Sequence, residues 1–244
     1  MSLASAASKA SVARTLAAWG VHLYTGLGAP LGLLALEASG RHRFGLAFIW
    51  MTIATIIDST DGALARRVGV KQVLPSFDGA KLDDIVDYLN YVVVPLVLAF
   101  QANLVPHSWA GLAIASAPLL ASGYGFCQTE AKTADHFFTG FPSYWNIVVF
   151  YLYTLQTAMW FNIFALLGFS VLVFVPIRYL YPSRGTAART TTYVLGITWA
   201  LLMFELLREF PHPSRWLAVV SLFFPAYYMI ASVHLHLRNH RESR

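Results

Sequence analysis

Apolar stretches long enough to cross a lipid bilayer, or nearly so, recur along this chain at about 16–37, 44–66, 84–102, 108–127, 143–158, 160–177, 191–208 and 215–235. Eight such runs in 244 residues leave few alternatives to helices, because in hydrocarbon each backbone N–H and C=O must be satisfied within the protein. Only 12% of the residues are charged, too few to coat a water-soluble surface, so lipid must solvate most of the outside. The division between the fifth and sixth runs is the weakest, marked only by Gln156, Thr157, Trp160 and Asn162. No stretch reads as a hydrophilic module, a linker or a fixed-period repeat. The expected architecture is therefore all-α, one polytopic transmembrane bundle of about eight helices over residues 1–244.

Basic residues orient the bundle. With the N-terminus in the cytoplasm, 13 of the 17 Lys and Arg fall on the cytoplasmic side, which favours both termini inside and an even number of helices. These residues sit at the ends of apolar runs, so the net charge of +5 reflects membrane orientation and not nucleic-acid binding. The tail residues Arg238, Arg241 and Arg244 suit anionic lipid headgroups. The N-terminal segment lacks the short apolar core before a cleavage site that a signal peptide needs, and is expected to be retained. Cys127 is the only cysteine, which excludes an intramolecular disulfide or a cysteine-only metal cluster.

The chemistry lies in the acidic residues. Six of the 12 fall between positions 58 and 87: Asp58, Asp61, Asp78, Asp83, Asp84 and Asp87. Ionised carboxylates at the ends of membrane helices are costly unless they are paired or bind a cation. A helix advances about 100° per residue, so Asp58 and Asp61 share a face with Gly62 and Ala65. Asp83 and Asp87 share another face, with Gly79 one turn before them. Two helices thus each present a carboxylate pair flanked by small residues that permit close approach. Four facing carboxylates need one or two divalent cations, and an all-oxygen set suits Mg²⁺ or Mn²⁺. Arg66 beside such a site is placed to hold phosphate. The alternative is that these aspartates pair with Arg66, Arg67, Lys71 and Lys81. Asp78 and Asp84 lie off the shared faces and suit capping or surface roles.

The pattern Asp58-x-x-Asp61-Gly62-x-x-Ala65-Arg66, then Gly79-x-x-x-Asp83-x-x-x-Asp87, resembles the signature of the CDP-alcohol phosphatidyltransferase family at every fixed position. The spacer from Arg67 to Asp78 is longer than is usual there. That spacer, the eight-helix count and the opening Ala18-Trp19-Gly-Val-His22-Leu-Tyr24-Thr25 resemble the bacterial branch that joins CDP-diacylglycerol directly to choline. The resemblance implies a multi-pass enzyme of the bacterial inner membrane, with its site facing the cytoplasm, that releases CMP. Asp58, Asp61, Asp83 and Asp87 would hold two Mn²⁺ or Mg²⁺ ions. Asp58, Gly62, Ala65, Arg66 and Gly79 would bind CDP-diacylglycerol, and Asp87, aided by Asp83, would take the proton of the alcohol. The family admits a homodimer.

Choline's trimethylammonium is best held by aromatic faces. Trp19, Tyr24, Tyr88, Tyr91, Tyr144 and Trp145 are the aromatics near the cytoplasmic side, with Tyr24 and Tyr88 favoured. His22 and Asn146 are further headgroup candidates, His22 equally suiting a hydrogen-bonded packing role. Other family alcohols, such as inositol phosphate, glycerol phosphate or serine, stay open. So does a divalent-cation transporter, although transport sites usually sit near the bilayer midplane and not beside arginines at a helix end.

Overall fold

A computed structural model describes residues 3–128, 137–180 and 189–242, and the chain is helical over most of them. The basic residues Lys132, Arg184 and Arg244 lie outside the described residues, as do the side chains of Arg178, Arg238 and Arg241.

Helices α1 (Leu3–Gly26) and α2 (Gly28–Gly40) form one rod interrupted at Leu27, whose N–H still reaches Leu23 O at 2.9 Å. The chain turns at His42, φ 54°, and returns as α3 (Phe44–Val68). Gly69 ends α3 in the left-handed conformation, φ 72°, where glycine carries no Cβ penalty, and its N–H meets Ala65 O at 3.0 Å. The long spacer holds a single turn, α4 (Val70–Val73), and a loop to Asp78. Asp78 then caps α5 (Gly79–Asp87), accepting from Lys81 N at 3.1 Å.

From α5 the helix runs on through a π-helical segment, Tyr88–Val93, into α6 (Val94–Gln101). Pro95 supplies a reason for the wide turn. It has no N–H for the carbonyl four residues back, and its ring would crowd that carbonyl, at Tyr91. Widening the turn relieves the crowding, and Val94 N bonds Leu89 O, five residues back.

Helix α7 (Trp109–Cys127) returns toward the first end. Helices α8 (Trp145–Thr154) and α9 (Met159–Phe174) follow, then α10 (Arg189–Arg208), α11 (Arg215–Ser221) and α12 (Phe223–Glu242). The weakly marked division of the sequence is a real turn: Gln156 adopts φ 50°, and Asn162 caps the neighbouring connection by donating to Leu104 O at 2.8 Å. A small antiparallel ribbon pairs β1 (Phe137–Thr139) with β2 (Arg178–Leu180), which the periodicity did not foretell.

Four of the described helical stretches, Phe44–Val68, Trp109–Cys127, Thr190–Arg208 and Arg215–His234, are long and apolar enough to cross a membrane. The rod α1–α2 and the α5–π–α6 helix are interrupted, while α8, at 10 residues, reaches only about 15 Å. Trp145, Leu96, Leu98, Val149 and Leu166 fill the centre, and Trp145 Nε1 donates to Ser122 Oγ at 2.7 Å. Leu120, Trp160, Phe164 and Leu201 face outward, as lipid contact requires. The chain is a polytopic helical membrane protein.

Candidate functional site

The site forms where the C-terminal half of α3, the break in the α1–α2 rod and the α5–π helix meet. Close approach comes from glycines. A Cβ at Gly28 would collide with the Val86 side chain, and one at Gly32 would lie 2.9 Å from Leu89 Cδ2. Asn90 locks this seam, its amide donating to Gly28 O and Val86 O, both at 3.0 Å.

Between these elements lies a small cavity. Thr25 and Gly28 line it from the rod, Asp58 and Asp61 from α3, and Asp83, Asp87, Asn90 and Tyr91 from the α5–π helix. Asp58, Asp83 and Asp87, each half-buried, bring carboxylate oxygens within 4.8 Å of one another. An octahedral hard cation with bonds near 2.1 Å sets opposite ligands about 4.2 Å apart, so a small contraction would close this set around one ion. Three carboxylates at that spacing repel each other, and a divalent cation offsets the repulsion. The cluster therefore suits a divalent metal.

Asp61 faces the same cavity but stands outside that trio. It is buried, and Thr25 donates to its Oδ2 at 2.7 Å. Asp58 is fixed in a similar way by the Tyr91 hydroxyl, which donates to Asp58 Oδ2 at 2.7 Å. Gly62 and Ala65 follow on α3, half-buried, and the guanidinium of Arg66 folds back so that a Cβ on Gly62 would meet Nη1 at 3.3 Å. Arg66, Arg67 and Lys81 are exposed. Gly79 packs on the His22 imidazole: a Cβ there would lie 2.5 Å from Cε1.

The headgroup candidates are scattered. The His22 ring is buried between Phe77, with centroids 4.3 Å apart, and Trp19 at 5.9 Å. Tyr88 turns toward α7, donating to Leu119 O at 3.0 Å. The Tyr24 hydroxyl bonds Thr60 Oγ1 at 2.9 Å, and Asn146 Nδ2 reaches Thr55 Oγ1 at 3.4 Å. Tyr91 is the aromatic that lines the carboxylate cavity, with the Tyr144 ring 6.1 Å behind it. Sequence reasoning noted Thr25 only as part of the opening motif, with no role in the site, and gave Asn90 none. Their contribution is a contact between helices, and spacing within one helix carries no trace of it. Tyr91 is among the aromatics expected near the cytoplasmic side, but α-helical spacing would set it about 80° off the face of Asp83, so its place at the cavity comes from the π segment.

The sequence matches the CDP-alcohol phosphatidyltransferase family over residues 16–227. A phosphatidylcholine synthase of Legionella pneumophila is 40% identical over 223 residues, covering 88% of this chain and 87% of the relative. One of Rhizobium meliloti is 34% identical over 203 residues, covering 83% of each chain. A third, of Borreliella burgdorferi, is 32% identical over 221 residues, covering 89% of this chain and 94% of its own. The match takes in the whole Asp58–Asp87 region together with the helices that enclose the carboxylates, and this chain belongs to the CDP-alcohol phosphatidyltransferase family.

Proposed function

We propose that this chain is a phosphatidylcholine synthase, transferring the phosphatidyl group of CDP-diacylglycerol to choline with release of CMP. The observation that carries the reaction type is the gathering of Asp58, Asp83 and Asp87 at one end of a membrane bundle, with Arg66 about two turns further along α3 and folded back over Gly62. Choline as the acceptor rests on the relatives named above.

Asp58, Asp61, Asp83 and Asp87 would hold two ions, Mn²⁺ or Mg²⁺, which when bound supply Lewis-acid chemistry at a pyrophosphate. Gly62 and Ala65 leave space for the nucleotide on the α3 face, and Arg66 offers a charged fork to its phosphates. The choline oxygen attacks the phosphorus that carries diacylglycerol. Its bond to that phosphorus forms as the bond to the CMP oxygen breaks, and CMP leaves with the bonding pair. The hydroxyl proton passes to Asp87, aided by Asp83, and from there to water. The Tyr91 ring, backed by Tyr144, is the aromatic surface nearest to where a trimethylammonium would sit. The site faces the cytoplasm of the bacterial inner membrane, where CMP and choline are water-borne. A homodimer is compatible with this reading.

The test is acceptor choice. Purified protein in detergent receives CDP-diacylglycerol, Mn²⁺ and labelled choline, serine, inositol, inositol phosphate or glycerol 3-phosphate, with Asp83→Asn as control. Phosphatidylcholine and CMP formed with choline, and lost in the variant, are expected. Product from another acceptor would sink the choline assignment while keeping the family chemistry. Absence of turnover with every acceptor, in folded metal-bound protein, would reopen ion transport.

A further inference from the structure

Asp58 is the single α3 carboxylate in the trio, the other two coming from α5. A bond from across the helix interface helps to orient it. The phenol of Tyr91 supplies it: the ring is buried, and the hydroxyl donates to Asp58 Oδ2 at 2.7 Å across the helix interface. A buried hydroxyl needs a partner, so this bond holds from both sides.

The wide turn sets up the contact. From Asp83 to Asp87 the α-helix advances about 40° beyond a full turn. Across the π segment each residue turns about 80°, so from Asp87 to Tyr91 the chain falls about 40° short of one. Tyr91 thus returns to the azimuth of Asp83 and faces α3. In an uninterrupted α-helix it would drift about 80° away. A neutral donor also suits a ligand carboxylate better than an arginine would. It fixes one oxygen without cancelling the charge that attracts a cation.

We propose that Tyr91 is a positioning residue that holds the Asp58 carboxylate in the geometry a divalent cation needs. This rests on the reading of Asp58, Asp83 and Asp87 as a cation site. The probe is Mn²⁺ alone, titrated into the purified full chain and followed by the paramagnetic resonance of the free ion. Tyr91→Phe keeps the ring and removes the hydroxyl; the expected result is an Mn²⁺ dissociation constant raised about tenfold. Tyr151→Phe is the structural control. That buried phenol also makes hydrogen bonds, to Ser221 Oγ at 2.8 Å and from Trp199 Nε1 at 2.9 Å, and it does not line the carboxylate cavity. It should leave Mn²⁺ affinity unchanged.

Tyr91→Phe binding Mn²⁺ like the parent overturns the proposal, and so does Tyr151→Phe weakening it equally. Asp83→Asn separates the two readings. If the parent binds, Asp83→Asn does not and Tyr91→Phe matches the parent, the positioning role alone falls. If the parent binds no Mn²⁺, both readings fall.

Discussion

Gly79 has room for hydrogen and nothing larger. A β-carbon there would meet His22 Cε1 at 2.5 Å and Nδ1 at 3.0 Å, and the imidazole is boxed by Trp19 and Phe77. Overpacking of this kind costs about 1–3 kcal/mol. Gly79→Ala should therefore lower the thermal midpoint, and adding His22→Ala should restore much of the loss. The His22 Nε2 atom is buried without a hydrogen-bond partner among the described residues, so its removal leaves no partner stranded. A thermal-unfolding cycle over the parent, both single variants and the double variant measures the coupling. Additive effects would show that the contact carries no energy. The double variant also separates two jobs of Gly79. A stable protein with a KM for CDP-diacylglycerol raised above that of His22→Ala alone would mean that the glycine serves the nucleotide as well as the imidazole.

Among the elements, the seam between α2 and the π segment packs the α5–π helix against the rod at the edge of the carboxylate cavity. Asn90 donates across it to Gly28 O and along its own helix to Val86 O. Asn90→Leu keeps the volume and removes both bonds, and at about 1 kcal/mol each it should cost about 2 kcal/mol. Turnover should fall with stability, as read by thermal unfolding and product formation. Unchanged stability would leave the glycine packing as the sole tie. The apolar runs made the helices legible, and the aspartate spacing made the two carboxylate pairs legible from the chain alone. The azimuths of the residues after Asp87 were not legible. Pro95 sits inside an apolar run that reads as continuous helix, and the turn it widens changes which face every later residue presents. That is why Tyr91 meets Asp58, whereas Tyr88, one residue past Asp87, is rotated off its face with or without the wide turn and reaches Leu119. Likewise Thr25, placed by a break in another helix, reaches Asp61 over a separation of 36 residues.

For the whole molecule, orientation is the property to test. The α5–π–α6 helix leads away from the site and α7 returns, so Cys127, exposed and the sole cysteine, marks the site end of the bundle. An impermeant maleimide should label it in inverted vesicles and leave it untouched in intact spheroplasts. Cys127→Ser with His107→Cys, at the opposite connection, should reverse the pattern. Labelling of Cys127 from outside would invert the proposed topology. The division of the carboxylates between α3 and α5, which are linked in sequence by the α4 turn and its loop, has a consequence beyond catalysis. A cation seated among Asp58, Asp83 and Asp87 ties the two helices together, so its binding free energy is also folding free energy. In a cell starved of that ion, quality-control proteases would meet a looser chain, and the protein's lifetime would shorten along with its rate.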